Sequence, residues 1–201
     1  RDRRHPEYEM DSRILLTAID YQRGTVVIEG KEYPMMDMEF PTIDPSDPLK
    51  LSEEEEELLH TLTLSFCHSA LLHKHIKFLY SNGSMYKCCN SNLLYHGCIP
   101  MKEDGSFDEM AVNGKAYKGR ALMDFIDKQV KKAYFLPDQD PEKEASRDFM
   151  WYLWSGAKSP VFGKDKMTIF EHYFVEDKEA SRERMNPYYK LSCLLYTSPS
   201  P

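Results

Sequence analysis

Residues 92–107 read NLLYHGCIPMKEDGSF, in which one histidine, His96, follows an apolar run and precedes a glycine. Leu93, Leu94 and Tyr95 predict a short buried strand, and three apolar residues in a row predict cover on both faces, as at the centre of a sheet. Such a strand would deliver His96 to the sheet's carboxyl edge, where active groups gather. A neutral imidazole is an acceptable ligand for manganese, zinc or iron. Gly97 would then leave room for a metal or a phosphate to approach. The plainer alternative is a core histidine with its hydrogen bonds satisfied.

Other residues compete for a chemical role. Cys67, His68, His73, His75, Cys88, Cys89, His96 and Cys98 lie close in sequence and raise the question of a zinc module. The spacing argues against one. There is no Cys-x-x-Cys pair, and the adjacent Cys88 and Cys89 would alternate faces on a strand. His73 and His75, two apart on a helix, do not share a face. In FGKDKM (162–167), Gly163, Lys164 and Lys166 stand beside an expected helix start, where lysine charge and free N–H groups could contact a substrate phosphate. The alternative is an ordinary turn with Asp165 as N-cap. Trp151 and Trp154, three apart on a helical pattern, predict packing residues rather than a stacking platform.

These residues must be positioned by a mixture of elements. Residues 9–19 predict a short amphipathic helix, and 24–35 a hairpin turning at Glu29-Gly30. The proline-rich stretch 40–50 predicts a loop. Ser52 and Glu55 form a capping box, with glutamates 53–57 at the positive end of the helix dipole. Leu58, Leu59, Leu62, Phe66, Leu71, Leu72, Ile76 and Leu79 continue the pattern to a stop at Ser81-Asn82-Gly83. That length predicts two helices joined near Ser69. SMYKCC and NLLYHG flank a turn at Asn90-Ser91-Asn92, and 110–119 predicts another hairpin at Asn113-Gly114. Helices follow over 120–135, 141–154 and 166–174. The fold class is therefore α/β or α+β, with β-hairpins and several helices.

With 201 residues, 41% of them hydrophobic and 12% aromatic, the chain can build one sizeable globular core. A net charge of −7 with dispersed acidic residues disfavours a nucleic-acid partner. The apolar runs are too short for a bilayer, so no membrane role is expected. The basic start RDRRHPEYEM has no apolar region behind it and does not read as a secretory signal. Five cysteines without framework spacing suit a reducing cytoplasm. The abrupt start, and the shift to Ser/Pro near the end, predict a piece of a larger protein. Residues 192–201 are expected to be an unstructured tail of non-native origin.

The motif HGCIP resembles the histidine-glycine motif of calcineurin-like metallophosphatases, in which the imidazole binds one of two metals. NLLYHGCIPMKEDGSF, YKGRALMDF, MWYLWSGAKSPVFGKDKMTIFEHYF and NPYYKL together resemble class III fructose-1,6-bisphosphatase, the bacterial metallophosphatase type. The resemblance runs from about Arg3 to Leu191 and treats 1–191 as part of one metallophosphatase sandwich domain. It implies His96 as a metal ligand and manganese as the cofactor. It also implies two-metal removal of the 1-phosphate of fructose 1,6-bisphosphate in gluconeogenesis. The partner would be the sugar bisphosphate, and the resemblance allows a homo-oligomer. The family's Asp-x-His, Gly-Asp-x-x-Asp-Arg and Gly-Asn-His-Asp motifs are expected upstream, and Gly-His-x-Pro downstream, so most metal ligands lie outside this chain. The 201 residues alone are expected to be inactive. Two rival readings are a metallophosphatase acting on a phosphoprotein or another sugar phosphate, and a non-catalytic helical interaction module.

Overall fold

A computed structural model describes residues 5–112 and 114–196. The first elements are β1 (Ile19–Asp20), β2 (Thr25–Ile28), β3 (Lys31–Pro34), α1 (Glu53–Cys67) and α2 (Ala70–Asn82). Two hairpins follow, β4 (Tyr86–Cys89) with β5 (Asn92–Tyr95), and β6 (Glu109–Val112) with β7 (Lys115–Lys118). Four helices complete the chain: α3 (Gly119–Phe135), α4 (Pro141–Ser155), α5 (Ile169–Phe174) and α6 (Pro187–Tyr196). Helices with small antiparallel sheets make the chain mixed α and β, as expected. The contacts divide it into two compact units.

One unit comprises Asp11–Asn82 and Thr168–Arg182. Its sheet β1-β2-β3 turns at Glu29 and Gly30, whose φ values of 51° and 80° suit the turn that matches strand twist. Alternation points Val26 and Ile28 inward, where they join Ile19, Tyr33, Val175 and Ala180 in a core. The late segment is fastened to the sheet by the bridge between Met35 and Val175 and by the Met36 N–H donating to the Phe174 carbonyl at 2.9 Å.

Helix α1 starts as the sequence dictates. The Glu55 N–H donates to Ser52 Oγ at 3.2 Å, and the Ser52 N–H donates to Glu55 Oε2 at 2.8 Å. The break near Ser69 also forms. Its hydroxyl oxygen accepts from the Leu72 N–H at 3.3 Å and so caps α2. Neither α1 nor α2 buries a residue.

The helix expected over 9–19 is replaced by 3-10 turns at Asp11–Arg13 and Leu15–Ala18, leading into β1. Ile14, at φ −122° and ψ 70°, leaves helical geometry between the two turns, and its branched side chain lowers the helical preference there.

The other unit comprises Arg1–Met10, Gly83–Met167 and Glu183–Pro201. Its core is built on α3 and α4, which pack against each other. Leu122 and Ile126 from α3 meet Phe149, Tyr152 and Leu153 from α4, closed over by Met110 and Val112 of β6 and by Tyr8 and Met10. Phe125 stacks on Tyr117 at 4.1 Å and meets Phe149 edge-on at 5.4 Å. Burial pushes the Tyr8 hydroxyl up to about 12, and the carboxylates of Glu7 and Asp148 add to the shift. Asp140 caps α4, accepting from the Glu142 N–H at 2.9 Å, with Pro141 at the first helical position.

Several expectations fail here. Strand β5 pairs only with β4 among the described residues, so it is not central in a sheet, and Leu93 and Leu94 are 50% and 55% exposed. An apolar run marks surface that needs cover, but it does not say which part of a protein supplies it. Trp151 packs against the core, whereas Trp154 is 67% exposed because α4 turns that side outward. The last helix before the chain's end region, expected from 166, begins at Ile169 with Thr168 as N-cap rather than Asp165. Helix α6 continues through Tyr196, covering the first part of the segment expected to be unstructured; 197–201 lie outside the described residues.

Candidate functional site

Strand β5 ends at Tyr95, and His96 and Gly97 form the bend that follows. His96 is exposed and makes no hydrogen bond among the described residues. What fixes the bend is its other side. Gly97 sits at φ +83°, and a Cβ there would collide with the carbonyl oxygen of Pro160. The next N–H, of Cys98, donates to that same oxygen at 2.8 Å. Glycine is therefore required for close backbone approach. The space it leaves is filled by Pro160, so the room for a metal or phosphate expected beside His96 is not there.

Pro160 is itself held rigidly. Buried Ser159 donates its hydroxyl to the Leu153 carbonyl at 2.6 Å and accepts from the N–H groups of Val161 and Phe162 at 3.3 and 3.2 Å. The Gly163 N–H donates to the Ser159 carbonyl at 3.0 Å. One side chain thus organises the loop between α4 and Gly163.

A third strand of contacts comes from Asn186. Its amide donates to the Gly163 carbonyl at 3.1 Å and to Cys98 Sγ at 3.6 Å. Its side-chain oxygen accepts from the Tyr188 N–H at 3.0 Å, so Asn186 caps α6 with Pro187 next to it. The hydroxyl of Tyr188 pairs with that of Tyr95. Burial, then the bond to Tyr95, raises the Tyr188 phenol well above its usual range. Burial also raises the Cys98 thiol, against a smaller lowering by Asn186, which keeps it protonated and a poor nucleophile near neutral pH.

Beside this knot lies a cleft of about 270 Å³, lined among others by Cys98, Asp108, Lys158, Asp165, Arg184 and Asn186. Lys158 is paired with Asp108 at 3.0 Å and donates to the Glu109 carbonyl at 3.1 Å. Asp165 accepts from the Arg184 N–H at 3.3 Å. Mixed charge suits a polar ligand. His96, Lys164 and Lys166 do not line the cleft. Lys164 is at the surface, paired with Glu183 at 2.9 Å, while Lys166 is buried. Both precede α5 instead of flanking its first turn. Asn186 escaped the sequence reading although Asn-Pro before an aromatic pair is a cap signal. Asp108, Lys158 and Arg184 carry no comparable local signal.

Manganese does not fit this chain alone. Among the described residues no group of three or more His, Cys, Asp or Glu side chains could hold a metal ion, and His96 offers a single imidazole. Among these residues, too, no helix is long and apolar enough to cross a membrane.

Comparison with known proteins supplies what the geometry leaves open. The family model described as Firmicute fructose-1,6-bisphosphatase matches residues 2–194. A class 3 fructose-1,6-bisphosphatase of Clostridium beijerinckii is 50% identical over 188 residues, which is 94% of this chain and 28% of the relative. The class 3 enzyme of Listeria innocua is 49% identical over 188 residues, covering 94% and 29%. That of Clostridioides difficile is 50% identical over 189 residues, covering 94% and 29%. No solved structure matches the chain. The chain spans less than a third of the length of these curated relatives. Half of its residues are shared with them across nearly its whole extent, and it belongs to the Firmicute fructose-1,6-bisphosphatase family.

Proposed function

We propose that the complete protein hydrolyses the 1-phosphate of fructose 1,6-bisphosphate to give fructose 6-phosphate in gluconeogenesis, in the cytoplasm. The observation that carries this is the identity of about half the residues with relatives named for that activity, over 94% of the chain. A divalent-metal centre follows from the family, and in our reading the ion is manganese and the mechanism uses two of them. Residues 1–191 form part of the metallophosphatase domain. The substrate is a small sugar bisphosphate; the acidic balance of the chain disfavours nucleic acid, and a homo-oligomer is compatible with the reading.

This chain's contribution is His96. Its imidazole stands clear of internal hydrogen bonds on a bend that Gly97 and Pro160 clamp, so it is free to serve as one ligand of a centre completed from elsewhere. Lys164 and Lys166 are proposed contacts for substrate phosphate, supported by their charge and by the left-handed backbone of Gly163 beside them.

The test uses both lengths of protein. Purified complete protein with manganese should release phosphate from fructose 1,6-bisphosphate, and His96→Ala should lower turnover and metal content without altering the circular dichroism spectrum. The 201-residue chain should release none, because one imidazole in water does not hold manganese tightly. Turnover by the chain alone, or a His96→Ala enzyme with full activity and metal content, would overturn the assignment.

A further inference from the structure

Helices α1 and α2 are a two-helix segment without an interior. Phe66 and Phe78 are 66% and 69% exposed, and Leu58, Leu59, Leu71 and Leu79 are at least half exposed. From Leu58 to His73 the chain carries no Asp, Glu, Lys or Arg. Single exposed apolar residues are ordinary on a protein surface, but large ones grouped on a stretch without charge mark a face that is covered in the complete protein. At about 100° per residue, Leu58, Leu59, Leu62 and Phe66 fall within about 100° of one another, so they make one apolar stripe along α1, with Leu64 alone on another side. A stripe of that width on a helix belongs against another element rather than in water.

We infer that α1 and α2 are a buried helical pair of the complete protein, enclosed by its own polypeptide from outside these 201 residues. This rests on the family reading, in which roughly seven-tenths of each relative's length lies beyond the matched region. Cover from the same polypeptide is favoured over a separate partner because helices of 15 and 13 residues are marginal without a packed face. Their cover must therefore be present whenever the protein is folded. An interior with this composition resembles a domain core cut in two.

The test uses the complete protein, with p-benzoylphenylalanine placed at position 66. Irradiation should join position 66 to a peptide outside residues 1–201 of the same polypeptide, leaving the chain's mass on denaturing electrophoresis unchanged. A doubled mass would show that a second copy supplies the cover. A link to a peptide within 5–196 would show that this chain covers itself. Either result overturns the inference. Hydroxyl-radical footprinting of the unsubstituted protein guards against a misfolded variant: oxidation of Phe66 and Phe78 seen in the unfolded protein should be lost on folding, and its persistence would also overturn the inference. Phosphate release assayed on the same samples reports separately on the proposed activity.

Discussion

Helices α1 and α4 are both 15 residues long and both begin on a side-chain cap, Ser52 in one and Asp140 in the other. Helix α4 buries Phe149, Tyr152 and Leu153 against α3, whereas α1 buries nothing. The shared part is local: a cap, an acidic first turn and an apolar repeat suffice to specify a helix. The difference is non-local, because burial depends on whether the elements that cover a face belong to the same stretch of chain. A complete helical signal is thus compatible with a helix whose packing partner is elsewhere.

The sharpest test of this contrast pairs two phenylalanines. Phe149→Ala should destabilise the fold by about 3–5 kcal/mol, since Phe149 is 2% exposed in the centre of its core. Phe66→Ala in the 201-residue chain should change stability by no more than about 0.5 kcal/mol. Denaturant unfolding measures both, and equal costs would erase the distinction between the helices. Gly97→Ala should come next, at about 1–3 kcal/mol, because it adds a left-handed strain to the clash with Pro160. Thermal unfolding checks it, and a neutral result would mean that the clamp is loose.

Ser52→Ala should cost about 1 kcal/mol, because the capping box is satisfied within α1 itself and does not need the missing cover. Loss of helical circular dichroism on heating reports this. The smallest effect is expected for Trp154→Ala, within about 0.5 kcal/mol in this chain despite the size of the side chain. A large loss of thermal stability would place Trp154 in a core after all.

The contrast also explains what could be read from the residues alone. The capping box of α1, the break near Ser69 and the turn at Glu29-Gly30 were legible because each is decided by atoms a few positions apart. Leu93, Leu94 and Trp154 were misread because apolar character records a need for cover without naming its source. At the candidate site, His96 stood out by its place after an apolar run. The role of Gly97 did not, since Pro160, the group it accommodates, is far along the chain. Asn186 links three segments that no periodicity connects.

The interleaving of the two units has a consequence for how the chain is made. Met35 leaves the ribosome 140 residues before its bridge partner Val175. Tyr8 likewise waits for Phe149 and Tyr152. Local pairs such as the β2-β3 hairpin can form early, but neither unit can complete its contacts until its later segment has been made, so folding finishes only when most of the 201 residues have been translated. During that interval the uncharged stretch from Leu58 to His73 is already outside and uncovered, and it is the segment on which a chaperone of the holding type would have most to grasp.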